Sequence, residues 1–177
     1  MQDSPLQTLI LGGARSGKSR YAEQLAQQSG REVIYVATAT ADDAEMQTRI
    51  QHHQAQRPSH WLTLEEPLAL ANCLQNHAHP ECLILVDCLT LWLTNLLCLE
   101  DTERLTQEQQ LLLQTLPQLP GDLILVSNEL GLGIVPLGEL SRRYIDEAGR
   151  LHQQLAAQLD TAIFMIAGLP HILKGNI

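Results

Sequence analysis

Short apolar runs alternate along this chain with longer stretches of helical periodicity. Thr8–Leu11 is an apolar run, followed at once by the glycine-rich Gly12–Ser19 and a helical pattern to about Gln28, where Ser29-Gly30 supplies a glycine stop. Glu32–Ala37 (EVIYVA) is rich in β-branched residues and predicts a second strand. Thr38–Asp43 reads as a polar loop, and Ala44–Gln56 as a helix stopped by Arg57-Pro58. A helix near Leu68–His77 leads to Cys82–Asp87, a buried strand that ends in an acid. Leu89–Leu99 and Thr106–Leu116 are leucine-rich helices separated by a charged turn. Leu123–Ser127 and Thr161–Ala167 are a fourth and a fifth strand. Between them, Leu140, Tyr144, Ala148, Leu151, Leu155 and Leu159 recur at three- and four-residue steps, so one face of a long helix over Leu140–Leu159 is apolar.

Strands alternating with helices make βαβ units, hence an α/β fold whose mostly parallel sheet carries helices on both faces. Neither a linker, an internal repeat nor a low-complexity stretch divides residues 1–177, which read as a single domain. A chain of 177 residues can bury a full core. Aromatics make up only 3% of it, so that core is built from Leu, Ile, Val and Ala. Such residues suit helices packed on a parallel sheet.

The formal net charge is −9. A surface of that sign repels a polyphosphate backbone and argues against a nucleic-acid partner, whereas a small anion needs only a local positive site. The four cysteines, Cys73, Cys82, Cys88 and Cys98, form no CxxC pair and read as free thiols in a reducing compartment. Met1–Pro5 lacks the basic start and apolar core of a signal peptide, and no apolar run approaches the ~18 residues of a membrane span. The expectation is a cytoplasmic protein.

Gly12-Gly13-Ala14-Arg15-Ser16-Gly17-Lys18-Ser19 satisfies GxxxxGK[ST] between an apolar strand and a helix, the context that separates a P-loop from an ordinary glycine turn. Its glycines let backbone N–H groups close around phosphate oxygens at the positive end of a helix. Lys18 would reach the terminal phosphates, and the Ser19 hydroxyl would hold Mg²⁺. Asp87, at the end of LILVD, could hold a magnesium-bound water, although many buried strands end in Asp without such a role. Arg49–Pro58 (RIQHHQAQRP) sets arginines on both sides of the pair His52-His53. A neutral imidazole can attack phosphorus while arginines steady the phosphates, though a histidine pair on a polar helix is often only solvated. Neighbours on a helix point about 100° apart, so one of the two would face a nucleotide, and spacing leaves open which. Ser127–Pro136 (SNELGLGIVP) leaves a strand where α/β sheets place ligands, and reads equally as a crossover loop. His77-x-His79 precedes Pro80 in a polar turn and reads as surface.

These segments together resemble the bifunctional adenosylcobinamide kinase / adenosylcobinamide-phosphate guanylyltransferase family of cobalamin biosynthesis. The resemblance runs through GGARSGKSRYAE (Gly12–Glu23), YVATA (Tyr35–Ala39), RIQHHQAQRP and VDCLTLWLTNLL (Val86–Leu97). It continues through VSNELGLGIVP (Val126–Pro136) and RRYIDEAGRLHQQLA (Arg142–Ala156). It implies phosphorylation of the aminopropanol hydroxyl of adenosylcobinamide by ATP or GTP, then guanylylation of a histidine by GTP. GMP would pass from that histidine to adenosylcobinamide phosphate, giving adenosylcobinamide-GDP. By matching position the nucleophile is His52. The nucleotide contacts are Gly12, Gly13, Ala14, Arg15, Ser16, Gly17, Lys18, Ser19, Ala37, Thr38, Ala39, His53, Gln54, Ala55, Gln56, Glu65 and Asp87. The family further implies a RecA-like P-loop fold and a homotrimer. His152 stands where many relatives are expected to carry Asn, a departure of little apparent consequence.

Two rivals carry different expectations. A monofunctional small-molecule kinase would use Lys18, Ser19 and Asp87 and leave His52 inert. A GTP-dependent switch would need a guanine-reading Asn-Lys-x-Asp segment, which the sequence lacks.

Overall fold

The computed structural model describes residues 5–39 and 58–176. Among the described residues seven strands form one sheet in the order β3-β2-β4-β5-β1-β6-β7. The strands are β1 (Gln7–Gly12), β2 (Glu32–Ala37), β3 (Leu62–Glu65), β4 (Cys82–Asp87), β5 (Asp122–Asn128), β6 (Thr161–Ile166) and β7 (Leu169–Lys174). Every neighbouring pair is parallel except β6 with β7. The helices are α1 (Lys18–Gln28), α2 (Leu70–His77), α3 (Leu89–Cys98), α4 (Thr102–Thr115) and α5 (Glu139–Gln158). The helix expected over Ala44–Gln56 lies outside the described residues.

The central strands are continuous apolar runs because both of their faces are covered. On one face Leu9, Ile34, Val36, Ile84, Val86 and Leu125 pack with residues of α2, α3, α4 and α5. On the other, Ile10, Tyr35, Leu85, Val126 and Ile163 pack with Ala22 and Ala26 of α1. Trp92 is the largest fully buried side chain, and its indole N–H is satisfied by the Leu68 carbonyl at 2.7 Å. Truncating it to Ala removes both the bulk and that anchor, at a cost of about 3–5 kcal/mol.

Two strands add to the five expected. β3 has four residues, three of them exposed, and no buried run to announce it; its place is set by parallel pairing with β2. β7 is exposed throughout and contains Pro170, which is tolerated at a sheet edge. It is held by the antiparallel ladder to β6 through a turn at Ala167-Gly168, both at positive φ, the geometry that suits tight hairpins. Helix α4 begins four residues before the apolar periodicity does. The Asp101 carboxylate accepts a hydrogen bond from the Arg104 N–H at 2.9 Å and caps it.

Candidate functional site

The first strand, glycine loop and first helix form one continuous unit. Gly12 ends β1, and a Cβ there would come within 2.6 Å of the Met165 carbonyl oxygen. Gly17 precedes α1 at φ 95°, in the left-handed region where glycine is the least strained residue. Between them the loop closes through Ser16 N–H to the Gly13 carbonyl at 3.3 Å. The Ser16 hydroxyl is buried with no hydrogen-bond partner, a polar group held in reserve inside the loop. Lys18 is buried and its ammonium donates to the Gly13 carbonyl at 2.6 Å. Burial pushes its pKa down, while the nearby Cys88 and Asp87 pull it back up. Ser19 follows in the first turn of α1.

Sheet register brings the remaining positions to the same edge. Ala37 pairs with Glu65 on one side and with Asp87 on the other, and Gly12 pairs with Asn128. All lie at the carboxyl ends of parallel strands, where α/β sheets bind ligands. Thr38 is fully buried; its hydroxyl donates to the Cys88 carbonyl at 2.6 Å and accepts from the Cys88 N–H at 3.0 Å. The Asn95 amide donates to the Thr38 carbonyl at 2.9 Å. The end of β2 is thus tied to the end of β4 and to α3. The Cys88 thiol is pushed up to about 11, by burial first and by Asp87 second, and stays protonated at neutral pH.

Gly12, Gly13, Ala14, Arg15, Ser16, Gly17, Lys18, Ser19, Ala37, Thr38, Ala39, Glu65 and Asp87 therefore share the carboxyl-end edge of one sheet. His52, His53, Gln54, Ala55 and Gln56 lie outside the described residues, as do the flanking Arg49 and Arg57.

A second set of polar residues stands behind the loop that leaves β5, and sequence reasoning passed over it. His152 of α5 is buried, with Nε2 2.8 Å from the Ser127 hydroxyl and Nδ1 3.3 Å from a Glu129 carboxylate oxygen. The other Glu129 oxygen accepts from the Gly131 N–H at 2.5 Å, and the Glu129 N–H donates to the Gly12 carbonyl at 3.0 Å. Position 152 is therefore far from inconsequential, since it clasps the segment that leads off the phosphate loop's neighbour strand. The signal was available: residue 152 follows Ala148 by four and precedes Leu155 by three, on the buried stripe.

The third feature is a cavity of about 410 Å³ between α3, the β5–α5 connection and the first turns of α5. Leu97, Leu130, Ile134, Leu140 and Ile145 make its walls apolar, and Thr90, Thr94, Ser141 and Tyr144 add hydroxyls. Burial pushes the Tyr144 phenol up to about 12, so it stays protonated at neutral pH.

Comparison with known proteins places this geometry in a lineage. The family described as cobinamide kinase / cobinamide phosphate guanyltransferase matches residues 8–173. The bifunctional adenosylcobalamin biosynthesis protein CobP of Pseudomonas aeruginosa is 61% identical over 171 residues, covering 97% of this chain and 99% of that protein. The bifunctional adenosylcobalamin biosynthesis protein CobU of Salmonella typhimurium is 39% identical over 174 residues, covering 91% of this chain and 96% of that one. Among solved structures, the RadB recombinase superposes with a TM-score of 0.53 at 18% identity, covering 91% of this chain and 74% of that one. That likeness concerns the fold, a RecA-like P-loop domain. Among the described residues no helix is long and apolar enough to cross a membrane.

Proposed function

The chain belongs to the cobinamide kinase / cobinamide phosphate guanyltransferase family of transferases, and from that premise we propose that it carries out two consecutive phosphorus transfers at one P-loop. In the first, the aminopropanol hydroxyl of adenosylcobinamide attacks the γ-phosphorus of ATP or GTP; the hydroxyl loses its proton and the nucleoside diphosphate leaves. In the second, an imidazole nitrogen of His52 attacks the α-phosphorus of GTP and pyrophosphate leaves. A phosphate oxygen of adenosylcobinamide phosphate then displaces the imidazole, giving adenosylcobinamide-GDP.

The observation that carries this reading is the convergence of Lys18 and Asp87 at the mouth of Gly12–Ser19, within electrostatic reach of each other. Lys18 supplies positive charge where phosphate charge changes during transfer. A phosphoramidate at His52 keeps the bond energy of the cleaved anhydride and divides one displacement into two. Gln54, Ala55, Gln56 and His53, with Ala37, Thr38, Ala39 and Glu65, would contact the nucleotide, as the family resemblance implies. Mg²⁺ fits the donor set. Among the described residues no cluster of three or more metal-ligating side chains exists, so Ser19 and Asp87 would supply few ligands and the phosphates and water the rest. When bound, the ion neutralises charge on the phosphates. Three copies of the chain would assemble, with the reaction in the cytoplasm.

The test is incubation with GTP labelled at the α-phosphate, followed by denaturing electrophoresis. Label that stays on the protein, resists base and leaves in acid identifies a phosphoramidate. Unlabelled protein that still phosphorylates adenosylcobinamide supports the monofunctional kinase instead.

A further inference from the structure

The two transfers need a second ligand, the acceptor, beside the phosphates. We infer that the cavity between α3, the β5–α5 connection and α5 is the acceptor site, which takes the aminopropanol arm and adjoining edge of the corrin ring. This rests on the proposed activity and adds the residues that hold its corrinoid substrate.

Position is the first argument. The Thr90 hydroxyl, in the cavity wall, accepts the Asn128 N–H at 2.8 Å, and Asn128 pairs with Gly12. Glu129 donates its N–H to the Gly12 carbonyl, and the next residue, Leu130, is again cavity wall. The cavity and the phosphate loop thus share the dipeptide Asn128-Glu129 as a partition. The phosphate loop opens α1, which covers one face of the sheet, and the cavity adjoins α3 and α5 on the other. A nucleotide and an acceptor approaching from these two sides meet over the carboxyl ends of β1 and β5.

Chemistry is the second. The walls are largely aliphatic, a poor match for a second nucleotide and a good one for the methyl and methylene groups of an aminopropanol arm. One polar group waits among them: the Tyr144 side chain is 7% exposed, and its hydroxyl stands near the Thr90 and Ser127 side chains without a well-formed hydrogen bond to either. A buried phenol of this kind normally finds a partner, and the amide or hydroxyl of the arm provides one.

The third argument is what surrounds the mouth. Leu132, Ile134, Val135 and Leu137 of the β5–α5 connection are exposed, Ile134 and Leu137 at 97% each. Ile134 lines the cavity and the other three flank it in sequence, and a run of aliphatic side chains facing water beside a cavity marks a surface that a ligand covers. The cavity is too small for a whole corrin ring, and these side chains offer the ring's apolar face a place to lie.

The experiment is equilibrium dialysis of the full-length protein against adenosylcobinamide, read by corrinoid absorbance, with GTP binding measured in parallel. Tyr144→Phe removes only the hydroxyl, and Ile134→Asp alters a side chain free of packing. Each should weaken adenosylcobinamide binding about tenfold, the scale of one lost hydrogen bond or apolar contact at a ligand. GTP affinity should hold. If both variants bind the corrinoid as wild type does, the site assignment is overturned while the activity stands. If Ile134→Asp instead lowers the particle mass in light scattering and leaves corrinoid binding intact, this surface joins copies of the chain and the assignment falls. If wild-type protein binds no adenosylcobinamide, the proposed activity itself is wrong.

Discussion

The Tyr35 hydroxyl donates a hydrogen bond to an Asp87 carboxylate oxygen at 3.1 Å, across the parallel ladder of β2 and β4. Residues 35 and 37 on β2 face 85 and 87 on β4, so both side chains emerge on the α1 side of the sheet, toward Lys18. The bond fixes which way the carboxylate faces. In Tyr35→Phe the acid keeps its charge and loses its orientation. One such bond is worth about 1–2 kcal/mol, so the magnesium concentration for half-maximal kinase rate should rise roughly five- to thirtyfold. Titration of the rate with Mg²⁺ checks this, and an unchanged midpoint would remove Asp87 from the metal's surroundings.

Lys18→Ala should lower both transfers by about 10²–10³, the usual loss on deleting one preorganised electrostatic contact at a reacting phosphate. The measurement is product formation in two separate assays, one from adenosylcobinamide and one from its phosphate. A variant that loses the kinase step alone would require two nucleotide sites.

His52→Asn should separate the steps. Phosphorylation of the arm needs no protein nucleophile, only positioning and charge. Guanylyl transfer by the proposed route needs an imidazole, and Asn offers none. Chromatography of the coloured products should show adenosylcobinamide phosphate accumulating, with adenosylcobinamide-GDP absent even when the phosphate is added. Equal loss of both steps in a folded variant would make His52 a shaping residue of a shared site.

His152 yields a prediction about acid. Burial holds its pKa below the ordinary 6.5, against the opposing pull of Glu129. As pH falls through that ordinary value the unfolded chain takes up a proton that the folded protein resists, so stability drops with falling pH. His152→Asn has no proton to take and retains a polar group for Ser127. Denaturant unfolding at about pH 7.5 and about pH 5.5 should show wild type losing more stability than the variant, by up to about 1.4 kcal/mol per pH unit. Parallel losses would mean that His152 takes up its proton as readily in the folded protein as in the unfolded chain.

Much of this was legible in the sequence wherever burial wrote a pattern. β1 with Gly12–Ser19 and α1, the runs of β2, β4 and β5, and the stripe of α5 all have apolar residues on both sheet faces or one helix face. β3 and β7 have no such stripe, because partners on one side alone define them. The place of Gly12–Ser19 between β1 and α1, and of Asp87 at the end of β4, could be read from the apolar runs that flank them. The stripe of α5 announces that His152 is buried but not that it meets Glu129 and Ser127, since those three come together only when α5 packs against the end of β5.

The Ala167-Gly168 turn touches the phosphate loop directly. The Gly168 N–H donates to the Ser16 carbonyl at 3.0 Å, and the Cα of Gly168 lies 3.2 Å from where a Gly17 side chain would begin. β1 itself lies between β5 and β6, both made long after it. During synthesis the phosphate-binding motif therefore leaves the ribosome before β5 and the β6–β7 hairpin that back it. Until β6 and β7 are made, a nascent chain carries the motif without the hairpin that braces it, and a fully braced phosphate loop waits on strands more than 140 residues downstream.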